Sequence, residues 1–313
     1  MSNGGVLKRR YLVLLLIVFS VATLGLGLQG LDQHVVQILM ISRIPRLLTV
    51  ILVGMSMAIA GLIMQQISRN RFVSPTTAGT IDAAKGGVIC TLLFFPGAAP
   101  LVKMSIVFLF ALAGTFIFMF VLRKIKFKNV IFVPLLGIMF GNIFNSITTF
   151  VAYRHDLVQN ISAWLMGNFA LVTQGRYELL YLSLPLLVIA FIFAHQFTIA
   201  GMGEEFAINL GLNYDLVVNI GVALVALLAA LVVVTVGQVP FLGLIVPNII
   251  TIFYGDNIKG NLTATALLGA VLLLGADLFG RVLIAPYEIP VGLTVGTLGS
   301  MLFLYLIFRG ERK

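Results

Sequence analysis

The sequence predicts an all-α polytopic membrane protein of about ten transmembrane helices, folded as one transmembrane domain over residues 1–313. Three observations carry that prediction. Hydrophobic residues make up 60% of the chain and charged residues only 10%, and the mean hydropathy is +1.11. Apolar blocks of about 18 residues or more recur from one end to the other. The Lys and Arg residues between the blocks are distributed unevenly, as they are when a membrane orientation is fixed.

The first block, 11–30, follows Lys8, Arg9 and Arg10. It looks like a secretory leader but is long and has no A-x-A cleavage site, so it reads as a retained first helix. Block 47–67 starts behind Arg43, Pro45 and Arg46, and block 79–96 carries Asp82, Lys85 and Cys90. Blocks 102–123 and 130–151 flank the basic segment from Arg123 to Lys128. Blocks 178–198 and 214–237 enclose the polar stretch "GEEFAINLGLN" (203–213). Block 241–254 is short for a full crossing, and 260–280 and 291–309 complete the set. With both termini in the cytoplasm, the inner segments collect Lys8, Arg9, Arg10, Arg69, Arg71, the Arg123–Lys128 cluster, Lys259 and the basic C-terminus. The outer segments hold fewer: Arg43, Arg46, Lys103, Arg154, Arg176 and Arg281. Omitting the short block would place 309–313 outside and weaken this bias.

Several function classes drop out. The net charge of +9 is too sparse, and too confined between apolar blocks, for a nucleic-acid surface. The single Cys90 cannot form an internal disulfide. "GLGLQG" (25–30) matches a dinucleotide-binding pattern but lies at the end of an apolar block with no βαβ unit around it. There is no P-loop, so the chain cannot hydrolyse ATP by itself, and no H-E-x-x-H or G-x-S-x-G. His34, His155 and His195 are too far apart in sequence to suggest a metal site.

Charge inside a membrane asks for an account. Asp82 and Lys85, three residues apart, share a helix face and can pair near the cytoplasmic start of the third span. The alternatives are a place in a translocation pathway or a proton-coupling pair. Asp277 and Arg281, four apart, suit an intrahelical pair near an outer helix end. Arg43 and Arg46 suit either interfacial anchoring or a basic rim for an acidic partner.

Motifs in fixed order then resemble one family, the FecCD-type permease subunits of ABC importers for iron–siderophore complexes, haem and cobalamin. They are "RIPRLL" (43–48), "GLIMQQISRN" (61–70), "SPTTAG" (74–79), "WLMGNF" (164–169), "GEEFAINLGL" (203–212), "FLGLIVPN" (241–248), and "ADLFGR" with "PYEIPVG" (286–292). Departures are local: Asn248 stands where the family usually has His, Arg71 replaces a Pro, Met301 stands where a Pro is common, and Asp82 and Lys85 occupy a stretch that is usually uncharged.

The resemblance implies a type II ABC importer permease fold in a bacterial plasma membrane, multi-pass, with both termini cytoplasmic. It implies a second permease chain, identical or paralogous, two ATP-binding subunits that use ATP and Mg, and an external substrate-binding protein. It implies no cofactor or metal bound by this chain, and no enzymatic activity of its own. The loop at about 199–217 would hold the coupling helices, with Gly203, Glu204, Glu205, Phe206, Ala207, Leu210 and Gly211 meeting the ATPase. The residue pattern agrees: Phe206, Ala207 and Leu210 lie roughly on one face, the two Glu favour a helix N-terminus, and Gly211 can end the helix. Arg43, Arg46 and Arg281 would face acidic residues of the binding protein. The fifth and tenth spans would line the path, offering Asn142, Asn145, Thr149 and Thr297. The implied cargo is an iron(III)–siderophore complex, and "SPTTAGTIDAAK" looks closer to permeases for the catecholate type; haem or cobalamin is the alternative. A proton-coupled secondary transporter working through Asp82 and Lys85 is the rival mechanism.

Overall fold

The computed structural model describes residues 9–26, 33–71, 73–75, 79–124, 132–255, 258–285 and 287–310. The basic residues Lys8, Lys126, Lys128, Arg312 and Lys313, used above for orientation, lie outside them.

Within the described residues each predicted block is helical, and all but 178–198 fall on a single helix. α1 (Arg9–Gly25) is followed by α2 (Gln33–Ile38), which passes through one π-type turn at Leu39–Arg43 into α3 (Ile44–Ile67). Val36–Ile67 is thereby one 32-residue helix. α4 (Thr80–Phe94), α5 (Pro100–Lys124) and α6 (Phe132–Arg154) come next, then the short α7 (Val158–Trp164). A 3₁₀ turn at Glu178–Leu182 leads into α8 (Ser183–Ile192) and α9 (Ala194–Gly201). α10 (Glu204–Asn209), α11 (Tyr214–Val236), α12 (Leu242–Tyr254), α13 (Ile258–Val282) and α14 (Val291–Gly310) complete the chain.

Among the described residues, five helices are long and apolar enough to cross a membrane, or six if α8 and α9 count as one broken span. The 178–198 block, expected as one span, is bent by 58° between α8 and α9. The break falls at Phe193, just before His195 and Gln196, polar residues that interrupt the apolar run. α1, α4 and α12, at 17, 15 and 13 residues, are shorter than the usual membrane-crossing length of about 20.

α3 is the centre of the bundle, packed by α11, α12 and α13. Lipid is as apolar as a side chain, so helices associate in a membrane through close backbone approach at small residues. Two glycines of α3 provide it. A Cβ on Gly54 would lie 2.6 Å from Gly269 O of α13, and one on Gly61 would lie 1.8 Å from Gly243 O of α12. Gln65 Nε2 of α3 and Asn248 Nδ2 of α12 both donate to Leu244 O of α12, at 3.1 and 2.7 Å. Asn248 also donates to Arg71 O at 2.9 Å, tying α12 to the turn after α3. Large apolar side chains of α5, α6 and α14, such as Phe116, Phe150 and Met301, point outward, as lipid- or subunit-facing surfaces require.

Candidate functional site

Two motifs and the turn after α11, far apart in sequence, meet at one end of the bundle. Asn168 N donates to Val236 O, Gln238 N to Leu165 O, and Gly292 N to Gly167 O, each at 3.0 Å. Gly167 (φ +69°) and Gly237 (φ +87°) occupy left-handed conformations in this knot, which side chains there would strain. The "WLMGNF" and "PYEIPVG" motifs are thus two sides of one backbone junction.

The arginine cluster lies at the same end. Arg46 Nε and NH2 donate to Asp277 Oδ1 at 3.2 and 2.8 Å, and Arg46 NH1 to Glu288 Oε2 at 2.7 Å. Arg281 NH2 stands 2.9 Å from Asp277 Oδ2, without hydrogen-bond alignment, so its attraction to the carboxylate is mainly coulombic. Asp277 is fully buried (0% exposed). The expected Asp277–Arg281 pair is therefore present, but Arg46 and Glu288 extend it into a network that joins α3, α13 and the segment before α14. Arg43 NH1 donates to Leu24 O at 2.5 Å. All three arginines anticipated for partner docking are thus engaged inside the chain. Glu288 was not singled out from the sequence, although it sits within a quoted motif; no spacing rule links it to a residue 242 positions away.

At the other end, the 203–213 stretch forms α10 between two glycines of positive φ. Gly203 (φ +122°) turns the chain into the helix. Gly211 (φ +78°) ends it: Leu212 N donates to Ala207 O at 3.0 Å and Gly211 N to Ile208 O at 2.8 Å, a Schellman closure. Asn213 Oδ1 then accepts from Leu216 N at 3.1 Å and caps α11. The side chains anticipated as one docking face divide. Ala207 is fully buried against its own bundle, whereas Phe206 and Leu210 are 48% and 58% exposed. Ile208 (55%) joins them outside, a residue the sequence reading passed over. On a single-turn helix the burial of one small side chain sets which residues point out. The loop rests on α3: a Cβ on Gly201 would lie 2.1 Å from Gln66 Nε2, and one on Gly203 would meet Arg69 NH1 at 3.5 Å.

A third feature is a cleft of about 280 Å³ between α4, α6, α7 and the turn after α11. Lys85, Asn145, Thr148, Thr149, Ser162 and Gln238 supply its polar lining. Two of the anticipated pathway residues, Asn145 and Thr149, are therefore brought together with Lys85. Asn142 is exposed one turn away on α6, and Thr297, on α14, does not line this cleft. Its hydroxyl donates to Leu293 O at 2.7 Å. Lys85 Nζ donates to Asp82 Oδ1 at 2.8 Å, as the three-residue spacing suggests, and to Asn145 Oδ1 at 2.9 Å. Gln238 and Ser162 went unnoticed in the sequence because only the fold carries them to α6. Among the described residues, no three His, Cys, Asp or Glu side chains gather as a metal site.

The chain as a whole resembles known proteins. Residues 11–309 match the FecCD transport family. The chain belongs to that family. This FecCD chain is 54% identical over 311 residues to the petrobactin import system permease protein YclN of Bacillus subtilis (strain 168), covering 97% of this chain and 98% of that one. It is 41% identical over 271 residues to the ferric-anguibactin transport system permease protein FatD of Vibrio anguillarum, covering 87% and 86%. A solved metal-chelate type ABC transporter in an inward-facing conformation superposes with a TM-score of 0.83 at 26% identity, covering 96% of this chain and 98% of that one. The chain is thus a permease subunit of an ABC importer with the type II fold, a multi-pass membrane component working with ATPase and substrate-binding partners. ATP hydrolysis belongs to the separate ATPase subunits.

Proposed function

We propose that this permease moves an iron(III)–siderophore complex, of the catecholate type, from an external binding protein into the cytoplasm. The observation that carries the reading is the 54% identity, over nearly the whole of both chains, to a petrobactin permease. The anguibactin permease supports the same cargo class. Haem or cobalamin is the second reading; cobalamin is favoured by the lower similarity (30% and 29%) to vitamin B12 import permeases of Serratia proteamaculans and Vibrio cholerae.

In this proposal the chain is a single permease domain in the bacterial plasma membrane with both termini cytoplasmic. It pairs with a second permease chain and two ATPase subunits. It binds no cofactor or metal of its own, and the ATPase partners use ATP and Mg. α10 is the coupling helix: Phe206, Ile208 and Leu210 enter a groove on the ATPase, and Glu204 and Glu205 occupy its N-terminal turn. Ala207, Gly203 and Gly211 fix the helix in that pose. Movement of α10 reaches α3 through the packing of Gly201 on Gln66 and of Gly203 beside Arg69. α3 is the most enclosed of the long spans, and its far end carries Arg46. A push on the loop is thereby transmitted along a rigid helix to the opposite face. There Arg43 meets acidic residues of the binding protein, while Arg46 and Arg281, whose charge Asp277 and Glu288 balance, meet it only by exchanging those carboxylates for the partner's.

The test is uptake of radiolabelled iron by cells lacking this chain, with and without its restoration, on catecholate, hydroxamate and citrate carriers, with labelled cobalamin and haem alongside. Restored uptake of a ferric catecholate, lost again when the ATPase partner is disabled, supports the proposal. Rescue by cobalamin or haem alone moves the cargo, and uptake indifferent to the ATPase moves the energy source to the Asp82–Lys85 pair.

A further inference from the structure

From the geometry around Lys85 we infer that this lysine, with Asn145, is an anion-recognition site in the transport cleft, taking a carboxylate or phenolate arm of a net-anionic ferric chelate, with Asp82 as its counter-ion at rest. The inference rests on the ferric-chelate importer reading and deepens it.

An ammonium within a membrane span needs a partner, and Asp82 supplies one at 2.8 Å. A pair serving packing alone would be closed off. This one is not: the side chains are 20% and 26% exposed, and Lys85 lines a cleft with Asn145, Thr149 and Gln238. An ammonium has three N–H donors. Two go to Asp82 Oδ1 and Asn145 Oδ1, and the third has no partner among the described residues. Asp82 is the fixed member. Its Oδ2 lies where Gly141 has no side chain; a Cβ there would be 2.5 Å away. Lys85, on a flexible stem, is the one that can swing to an incoming anion.

The cleft has the right shape for such an arm. Its lining runs from Leu165 and Gln238, at the end of the bundle near the arginine network, to Lys85, less than two turns into α4 from the opposite end. A volume of about 280 Å³ admits one aromatic ring, which fills roughly 150 Å³ of cavity, but not a whole chelate. The remainder would project beyond this chain's wall of the pathway. Charge-assisted hydrogen bonds are strong enough for one lysine to set a preference between chelates of different charge.

The experiment uses the complete importer in cells, with radiolabelled iron on a net-anionic tricatecholate carrier and on an uncharged trihydroxamate carrier. Lys85→Met should lower catecholate uptake about ten- to a hundredfold relative to hydroxamate uptake, chiefly through KM. Lys85→Arg should restore most of the preference. Because Lys85→Met orphans Asp82, the Asp82→Asn/Lys85→Met double variant controls for folding: it should reach the membrane at wild-type level and still lack the preference. A double variant that keeps the wild-type charge preference overturns the anion site and leaves the importer reading standing. A wild-type importer that takes up neither ferric carrier overturns both.

Discussion

Asp277 is the residue whose neutralisation should cost this fold most. It is fully buried and faces two guanidiniums, Arg46 at 2.8 Å on Oδ1 and Arg281 at 2.9 Å on Oδ2. Asp277→Asn keeps the shape but leaves two cations side by side, with only Glu288 near Arg46. Removing one partner of a buried pair costs about 3–5 kcal/mol. Arg281→Met leaves Asp277 bonded to Arg46 and should cost about 1–3 kcal/mol. Glu288, 37% exposed, makes a pair of the surface kind, so Glu288→Gln should cost about 0–1 kcal/mol. Replacing Arg46, Asp277 and Arg281 together by Met, Leu and Met should recover most of the loss, because no buried charge is left alone. The assay is thermal unfolding of the purified chain in detergent. At about 2–4 °C per kcal/mol, Asp277→Asn should lower the midpoint by roughly 6–20 °C and Glu288→Gln by less than about 4 °C. Equal shifts for the two variants, or a silent Asp277→Asn, would refute the claim that the network is anchored on the buried carboxylate.

Three further outcomes follow from the packing and the loop. Gly61→Ala places a Cβ 1.8 Å from Gly243 O and should destabilise by about 1–3 kcal/mol or more, whereas Gly86→Ala, with nothing closer than 3.5 Å, should be tolerated; detergent melting separates them. Gly211→Ala, at φ +78° with open space around it, should cost about 1 kcal/mol from backbone conformation alone, and Gly211→Asn less. Its functional reading is transport-coupled ATP hydrolysis, which should fall while the chain stays in the membrane. Phe206→Ala and Leu210→Ala should weaken co-purification of the ATPase subunit about 30-fold, a loss of about 2 kcal/mol at a docking anchor, with little change in melting. Ala207→Asp should do the reverse, lowering the melting midpoint because it forces a charge into the bundle.

The membrane fold and the order of its helices were legible in the sequence alone, because lipid imposes a simple rule: a span must be apolar for its whole length and must satisfy its own backbone. Local rules also carried over. Asp82 and Lys85 pair because three residues bring them to one helix face, and Gly211 closes α10 because glycine readily adopts positive φ. The family was visible through motifs whose geometric sense was not. "WLMGNF" and "PYEIPVG" read as separate signatures, and only folding made them halves of one junction through Gly167 and Gly292. The arginines were legible as basic residues near a membrane face. That Arg46 would reach Asp277 and Glu288, more than 200 residues away, was not. Nor was the division of α10, where burial of Ala207 leaves Phe206, Ile208 and Leu210 outside. The sequence by itself determined what repeats along one chain direction: apolar length, charge bias and helical spacing. Tertiary structure decided which side chains share a space, because in a bundle of apolar helices, where nearly every face is greasy, neighbours are chosen by close glycine contacts and by buried charges finding one another, and neither is written in local pattern.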